Sequence, residues 1–191
     1  MNIFILDENP ETAAEMQCNK HVVKMIIESA QMLSTAHRYL DGDEFISISK
    51  NGRKIKRWCH WTDDGNPIAP KLYKSVMINH PCTLWTYASK VNYAWHAEHA
   101  MALCDEYTHR YGRVHASQKT IDWCYRYAPH NIPDGPLTPF AQAMPDEYKH
   151  ENAVEAYQAY YRGEKATFAK WTKRNIPEWF LTKDTTMVQF T

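Results

Sequence analysis

The hydrophobic positions near the start of the chain recur with the spacing of an α-helix. Asn9 followed by Pro10 is typical of a helix cap and a first helical position, and Asp41-Gly42 is typical of a helix end. We therefore predict a long first helix from Pro10 to about Leu40. Its apolar stripe comprises Val22, Ile26, Ala30, Leu33, Ala36 and Leu40. The opposite stripe is wholly polar and comprises Gln17, His21, Lys24, Glu28, Gln31, Thr35 and Arg38.

The pattern changes to an alternation with period two in residues 44–58. FISIS and RKIKRW flank Asn51-Gly52, which is the strongest hairpin signal in the chain. We predict a small β-hairpin insertion at this position. The hairpin carries five cations, which are Lys50, Arg53, Lys54, Lys56 and Arg57.

Helical patterns dominate the rest of the chain. Further helices are predicted at Pro81–Gly112, 117–127 and about 151–174, the last with an interruption at Gly163. Five prolines keep residues 128–147 from forming a helix. Residues 2–6 form a short apolar run, which we expect to be an extended arm packed on the core. The predicted fold class is mainly α: a compact helical domain, single over residues 1–191, with two long helices and one small β-hairpin insertion.

Composition narrows the function classes. Lys plus Arg and Asp plus Glu are each 22, so the net charge is zero. This balance excludes binding to nucleic acid by global charge but leaves room for a local basic patch. No apolar run approaches the roughly 18–20 residues of a membrane span, and the N-terminus lacks the basic region of a signal peptide. Five cysteines without close pairs are typical of a reduced compartment, so we expect a cytoplasmic protein that does not engage a membrane.

The polar stripe of the first helix carries the clearest candidate chemistry. His21 and Glu28 lie seven residues apart, two turns on one face, with Lys24 between them. A carboxylate near a histidine and a lysine can act as a general acid or base, or can stabilise a cationic intermediate. The alternative is a solvated polar face with pairs such as Lys24 with Glu28. Sequence alone leaves both interpretations open.

Metal ligation and cysteine chemistry have weaker support. The pairs Cys18/His21, His80/Cys82 and His96/His99 are close in sequence, but none completes a recognised metal motif. No signature of a nucleophilic cysteine surrounds any of the five thiols. We predict no bound metal and no cofactor.

The C-terminal stretch over about 151–180 interleaves aromatic rings with cations. This combination suits stacking on bases and pairing with phosphates. An amphipathic helix with its rings in the core is the alternative. The candidates for nucleic-acid contact in this stretch are Tyr160, Tyr161, Arg162, Lys165, Lys170, Trp171, Lys173 and Arg174.

Four motifs in order give the chain a resemblance to a known family. They are HVVKMIIE at 21–28, NHP at 79–81 opening a long helix, EYTHRYG at 106–112 and YYRGEKA at 160–166. This order resembles the pyrimidine-dimer DNA glycosylases of the phage endonuclease V type. The chain also resembles a family of phage and bacterial proteins with HVVKM and NHPC motifs, a similarity that gives no function.

The resemblance implies a specific mechanism. Those enzymes act on a base pulled out of the duplex, and a free N-terminal amine attacks C1′ of the sugar to form a Schiff base. Glu28 would assist ring opening and β-elimination, His21 would orient it or contact phosphate, and Lys24, Arg38 and His80 would lie near the DNA backbone. Residue 2 is Asn, large enough that Met1 is expected to stay and to supply the amine. Without the amine, Glu28 would activate water in a monofunctional hydrolase.

The leading hypothesis is therefore a DNA base-excision enzyme, a glycosylase with or without lyase activity, acting on a damaged or modified pyrimidine flipped from DNA. One alternative is a non-catalytic module that binds nucleic acid or a partner protein through the hairpin and the C-terminal cations. Another is an enzyme acting on a free nucleotide. The zero net charge keeps these alternatives open, because strong binding to duplex DNA usually rests on basic charge.

Overall fold

A computed structural model of the chain describes residues 1–65 and 70–181. The fold is mainly α with one small antiparallel hairpin, which confirms the predicted class. None of the helices in the described ranges is long and apolar enough to span a membrane. The helices and strands are α1 (Pro10–Glu15), α2 (Asn19–Asp41), β1 (Asp43–Ile48), β2 (Lys54–Cys59), α3 (Pro81–Ala88), α4 (Lys90–Tyr111), α5 (Gln118–Arg126), α6 (Ala153–Glu164) and α7 (Glu178–Leu181).

Helix α4 forms the centre of the core, and α1, α2, α3 and α5 pack against it. The apolar stripe of α2 is buried as predicted, from Val22 to Ala36. Residues 2–6 are buried beside these helices without regular secondary structure, which confirms that the arm packs on the core. The arm is not extended throughout, because Phe4 takes a φ of +59°. Burial of Ile3, Ile5 and Leu6 in this arm removes apolar surface from water and holds the N-terminus against α2.

The long first helix predicted from Pro10 to Leu40 is wrong in one respect, because it is broken between α1 and α2. The break at 16–18 turns the side chain of Gln17 into the core, where its Nε2 donates to the carbonyl of Ile3 at 2.8 Å. The same Nε2 lies 3.2 Å from Nε2 of His99. The break thus follows from a tertiary contact with the arm, which local helix propensity does not encode.

The predicted second long helix is also divided. Ser89 is extended, with φ −152° and ψ 160°, and separates α3 from α4. Its Oγ accepts a hydrogen bond from the backbone N–H of Asn92 and donates to the carbonyl of Pro136. Ser89 is therefore the N-cap of α4, a signal that serine commonly gives and that the apolar pattern concealed.

The predicted last helix ends early, at Glu164 rather than about residue 174. Gly163 stays within α6, and its missing side chain lets Tyr148 cross the helix. A Cβ at Gly163 would come within 2.2 Å of the Tyr148 hydroxyl. Residues 165–177 follow as turns and irregular structure.

The hairpin confirms the prediction for residues 44–58. Its register pairs Asp43 with Cys59 and Ile48 with Lys54, and Gly52 in the turn takes a φ of +73°, which glycine adopts without strain. Both strands are exposed along most of their length. The hairpin therefore projects from the helical core, and only Trp58 near its base is buried.

Burial changes the interpretation of the polar stripe on α2. Gln17, Thr35 and Arg38 are buried, so much of this face is not solvated. Arg38 donates to both carboxylate oxygens of Asp63, at 2.6 and 2.7 Å, and the pKa of Asp63 falls to about 2 chiefly because of these hydrogen bonds. The guanidinium also donates to the carbonyls of Trp58, Leu72 and Tyr73. The structure therefore assigns Arg38 to the base of the hairpin and does not present it to a DNA backbone.

Replacing Arg38 with Met is expected to destabilise the protein by about 3 kcal/mol, since removal of one partner leaves the Asp63 carboxylate and three carbonyls without their donors. Urea unfolding at pH 7 measures the change. The matched control is Arg126→Met, which removes an exposed ion pair with Asp122 and should cost less than about 1 kcal/mol. Equal effects of the two substitutions would contradict the structural role of Arg38.

Candidate active site

The N-terminus lies against Glu28 of α2. The backbone N–H of Asn2 donates to Oε2 of Glu28 at 2.8 Å, and the amine of Met1 lies 4.0 Å from the same oxygen. Nζ of Lys24 lies 3.3 Å from Oε1. An amine and a carboxylate held at this distance form a pair in which one group can attack an electrophile and the other can move protons.

The side chain of Asn2 fixes this arrangement. Its Nδ2 donates to the carbonyl of Ala143, and its Oδ1 accepts from the hydroxyl of Tyr157, both at 2.8 Å. The residue is buried, so few other orientations are open to it. Asn2 thereby positions the amine of Met1 beside the Glu28 carboxylate. Sequence reasoning missed this role because the two partners lie 141 and 155 residues further along the chain.

His80 is the next side chain at the site. It caps α3 by accepting the backbone N–H of Cys82 on Nδ1, at 3.2 Å. Burial lowers the pKa of His80, and the positive N-terminal amine lowers it further, while Glu28 acts in the opposite direction. The structure therefore brings together Met1, Lys24, Glu28 and His80, all of which the sequence analysis proposed.

His21 occupies a different environment from the one expected. Its ring stacks on Phe4 with centroids 4.2 Å apart, and its Nδ1 is hydrogen-bonded to the hydroxyl of Tyr161. Burial, with Lys165 and Lys24, lowers the pKa of His21 to about 3, so the ring is neutral at pH 7. The structure gives His21 no hydrogen bond to Glu28 among the described residues. The His21 ring instead packs against Phe4, whose φ of +59° is unusual for a non-glycine residue. This contact stabilises the arm.

The C-terminal candidates divide into buried and exposed groups. Tyr161 is fully buried, and Trp171 is buried with its Nε1 donating to the carbonyl of Met16. Arg174 pairs with the carboxylates of Glu15 and Glu106. We do not retain Tyr161 or Trp171 for base stacking because they are buried, nor Arg174 for phosphate contact because its guanidinium is paired with two carboxylates.

The remaining C-terminal candidates reach the surface to different degrees. Nζ of Lys165 lies 4.2 Å from the centre of the half-buried Tyr160 ring, and Lys170 is exposed. Lys173 is exposed and donates to the carbonyl of His109. Arg162 donates to the carbonyl of Trp179. Tyr160 also stacks on Phe4, with centroids 6.2 Å apart, which connects this surface to the N-terminal arm.

A groove of about 880 Å³ separates the hairpin from the chain that leads into α3. On one side β2 contributes the exposed Lys54 and Lys56 together with Arg57, whose Nη1 donates to the carbonyl of Ser75. Residues 75–81, which include His80, line the other side of the groove. The groove therefore runs from the cations of the hairpin to the site at the N-terminus. Arg53 lies beyond it, exposed beside the hairpin turn.

Apart from His80, the histidines and cysteines of the pairs noted in the sequence serve internal contacts. His96 bonds to Thr86 and Ser29, and His99 stacks on Trp95. Burial raises the pKa of Cys82 to about 11 and those of Cys104 and Cys124 to about 12, values typical of inert thiols. Neither these pairs nor these thiols add a reactive group to the site.

The sequence profile of the family described as pyrimidine dimer DNA glycosylase matches residues 1–120, more than half of the chain. The chain belongs to this family. The matched part contains the arm, α2 with Lys24 and Glu28, the hairpin, and His80. Searches of curated proteins and of solved structures found no match. Membership of the pyrimidine dimer DNA glycosylase family gives the general function, a DNA glycosylase that acts in DNA repair and binds DNA.

Proposed function

We propose that this protein excises a damaged or modified pyrimidine that has been flipped out of DNA, using the Met1 amine and the Glu28 carboxylate. The observation that carries the proposal is their separation of 4.0 Å, held by the Asn2 side chain on one side and by Lys24 on the other. A cyclobutane pyrimidine dimer is the first substrate to test, because the family is described by it.

The chemistry divides between these two groups. The neutral amine donates its electron pair to C1′ of the sugar, and the bond from C1′ to the base breaks with its electrons on the base, which takes up a proton. The attached nitrogen then gives up one proton, and its electron pair breaks the C1′–O4′ bond. O4′ takes up a proton as the ring opens, and a protonated Schiff base forms between C1′ and the amine. A carboxylate beside C2′ can then remove a proton, and the electron pair that is released expels the 3′ phosphate in a β-elimination. We assign the transfer of these protons to Glu28.

Lys24 and the Asn2 peptide have a supporting role. Lys24 is exposed and ion-paired to Glu28, so it can orient the carboxylate and face a DNA phosphate at the same time. His80 lies where the groove meets the site and can contact the backbone there. Tyr160 and Lys165 border the other side of the arm. We assign DNA contact to these residues together with the hairpin cations.

The groove makes a quantitative prediction about DNA binding. Replacing Lys54 and Lys56 together with Gln should reduce the slope of log affinity against log salt by about two units, because each lost phosphate contact removes about one. Fluorescence anisotropy with a dimer-containing duplex at several salt concentrations measures the slope. The control pair, Lys119→Gln with Lys149→Gln, removes two exposed cations outside the groove and should leave the slope unchanged. An unchanged slope in the hairpin variant would place the DNA elsewhere.

Borohydride trapping tests the mechanism directly. The purified protein is incubated with duplexes that carry a cyclobutane dimer, an abasic site or a hydroxymethylated pyrimidine, and borohydride reduces any Schiff base to a stable adduct. Peptide mapping by mass spectrometry should place the adduct on the Met1 amine. An adduct on a lysine would still indicate lyase activity but would identify that lysine, and not Met1, as the nucleophile. Release of free base without an adduct would favour water activated by Glu28, and absence of both products would exclude base excision on these substrates.

A further inference from the structure

Three potential metal ligands converge at the C-terminal end of α2. They are His37 and Asp41 of α2 and His60, which follows β2. Each offers one ligand atom, and the three atoms lie within 4.8 Å of one another. Both histidines are buried, and Asp41 is half-buried. The pairs Cys18/His21, His80/Cys82 and His96/His99, which the sequence suggested, are not part of this group.

Two of these ligands are already held in place. His37 and Asp41 are four residues apart and so lie on one face of α2. Nε2 of His37 is hydrogen-bonded to the hydroxyl of Tyr93, which itself donates to the carbonyl of Cys124. The backbone N–H groups of His130 and Asn131 donate to the two carboxylate oxygens of Asp41, at 2.7 and 2.9 Å, and each oxygen keeps a further lone pair. Such outer contacts are typical of metal sites, where they fix the tautomer and orient the ligand.

His60 supplies the observation that points to a ligand. Its side chain is 2 % exposed, and its buried Nε2 has no hydrogen-bond partner among the described residues. Its Nδ1 accepts the backbone N–H of Thr62 at 3.3 Å and lies 3.1 Å from Oγ1 of the same residue, so the neutral ring carries its proton on Nε2. Binding of a metal ion at Nε2 moves this proton to Nδ1, where the Thr62 hydroxyl can accept it. A buried imidazole nitrogen without a partner is costly unless something binds it.

We propose that His37, Asp41 and His60 bind a divalent transition metal ion, with Zn²⁺ the best fit. Two imidazole nitrogens and one carboxylate form a donor set that suits Zn²⁺, whose bonds to these atoms are about 2.0–2.2 Å long. In a tetrahedral site the ligand atoms lie roughly 3.3 Å apart. A small inward movement of the three side chains therefore completes the coordination, with a fourth position for water.

The site is distinct from the catalytic one and does not depend on the proposed function. His37 and Asp41 are nine and thirteen residues beyond Glu28 on the same helix, which places them about 13–20 Å along its axis. The metal would tie the end of β2 to the end of α2 and so fix the direction in which the hairpin projects. The role that we assign to the ion is to set the position of the cations that line the groove.

Metal content and thermal stability test this proposal without a DNA substrate. After equilibrium dialysis against Zn²⁺ alone, plasma mass spectrometry should find about one Zn²⁺ per wild-type chain, and the melting temperature should rise with Zn²⁺ concentration. Co²⁺ dialysed in the same way should give the visible absorption bands of a four- or five-coordinate ion. His60→Gln, His37→Gln and Asp41→Asn should each weaken Zn²⁺ binding by at least about tenfold, since even loss of an outer contact commonly costs that much.

The control is His150→Gln, the same change at an exposed histidine outside the group, and it should bind Zn²⁺ as the wild type does. Circular dichroism of the variants without metal shows whether each one folds, and two folded ligand variants are enough for the comparison. The proposal is overturned if wild-type protein binds neither Zn²⁺ nor Co²⁺ stoichiometrically, or if the ligand variants bind as tightly as His150→Gln.

Discussion

Glu28→Gln is expected to lower base excision from a dimer-containing duplex by about 10²–10⁴-fold, the range that a positioned acid or base contributes. The amide keeps the shape of the side chain and one oxygen that can accept the Asn2 N–H, so the arm should stay in place. It can no longer accept a proton, so the steps that need proton transfer should fail. Single-turnover excision assays measure the loss.

The prediction separates catalysis from binding. Fluorescence anisotropy should show DNA affinity within a few fold of wild type, and circular dichroism should show an unchanged fold. Glu98→Gln is the matched control, because Glu98 is an exposed glutamate on α4 and should keep full activity. Equal excision by Glu28→Gln and wild type would remove Glu28 from the mechanism and would favour a binding role for this face.

Buried histidines should make the fold sensitive to mild acid. Burial lowers the pKa of His96 and His99 to about 3, and burial is also the main cause of the similar pKa of His21. Above pH 6.5 these rings are neutral in both states. Below pH 6.5 these histidines bind protons in the unfolded chain but stay neutral in the folded chain. Stability is therefore lost progressively from pH 6.5 down to about pH 3.

The expected loss of stability in acid is large for a protein of this length. Each such histidine contributes a slope of up to about 1.4 kcal/mol per pH unit, so the free energy of unfolding should fall by several kcal/mol between pH 6.5 and 4.5. Urea unfolding at intervals across this range measures it. His96→Gln should reduce the slope of unfolding free energy against pH by the equivalent of about one proton. This holds whatever its effect on stability at pH 7. A slope in His96→Gln equal to that of the wild type would contradict the assignment.

Periodicity predicted the helices and the hairpin well, but it failed at their ends. Gln17 and Ser89 interrupt long apolar patterns because their side chains bond to the arm and to the loop at Pro136. Neither Pro nor Gly marks those breaks, so only the capping tendency of Ser89 was available as a local signal. Gly163, where we predicted an interruption, stays within α6, and its lack of a side chain makes room for Tyr148.

The residues of the candidate site that lie on one helix could be predicted from the sequence. Those brought together from distant segments by the fold could not. The spacing of Lys24 and Glu28 placed both on one face, and the family resemblance supplied the amine. The stripe could not show that Arg38 turns inward, because Asp63 comes 25 residues later, beyond the hairpin. The same limit applies to Tyr161 among the C-terminal rings, since stacking surfaces and core packing use the same residue types.

The anchoring of Asn2 by Ala143 and Tyr157 sets an order of events during synthesis. The arm is translated before the two groups that hold it, which lie 141 and 155 residues further along the chain. A nascent chain that has reached residue 120 already contains Met1, Lys24, Glu28 and His80 but lacks both anchors. The Met1 amine is therefore held beside the Glu28 carboxylate only when the last quarter of the protein has been made and has folded back.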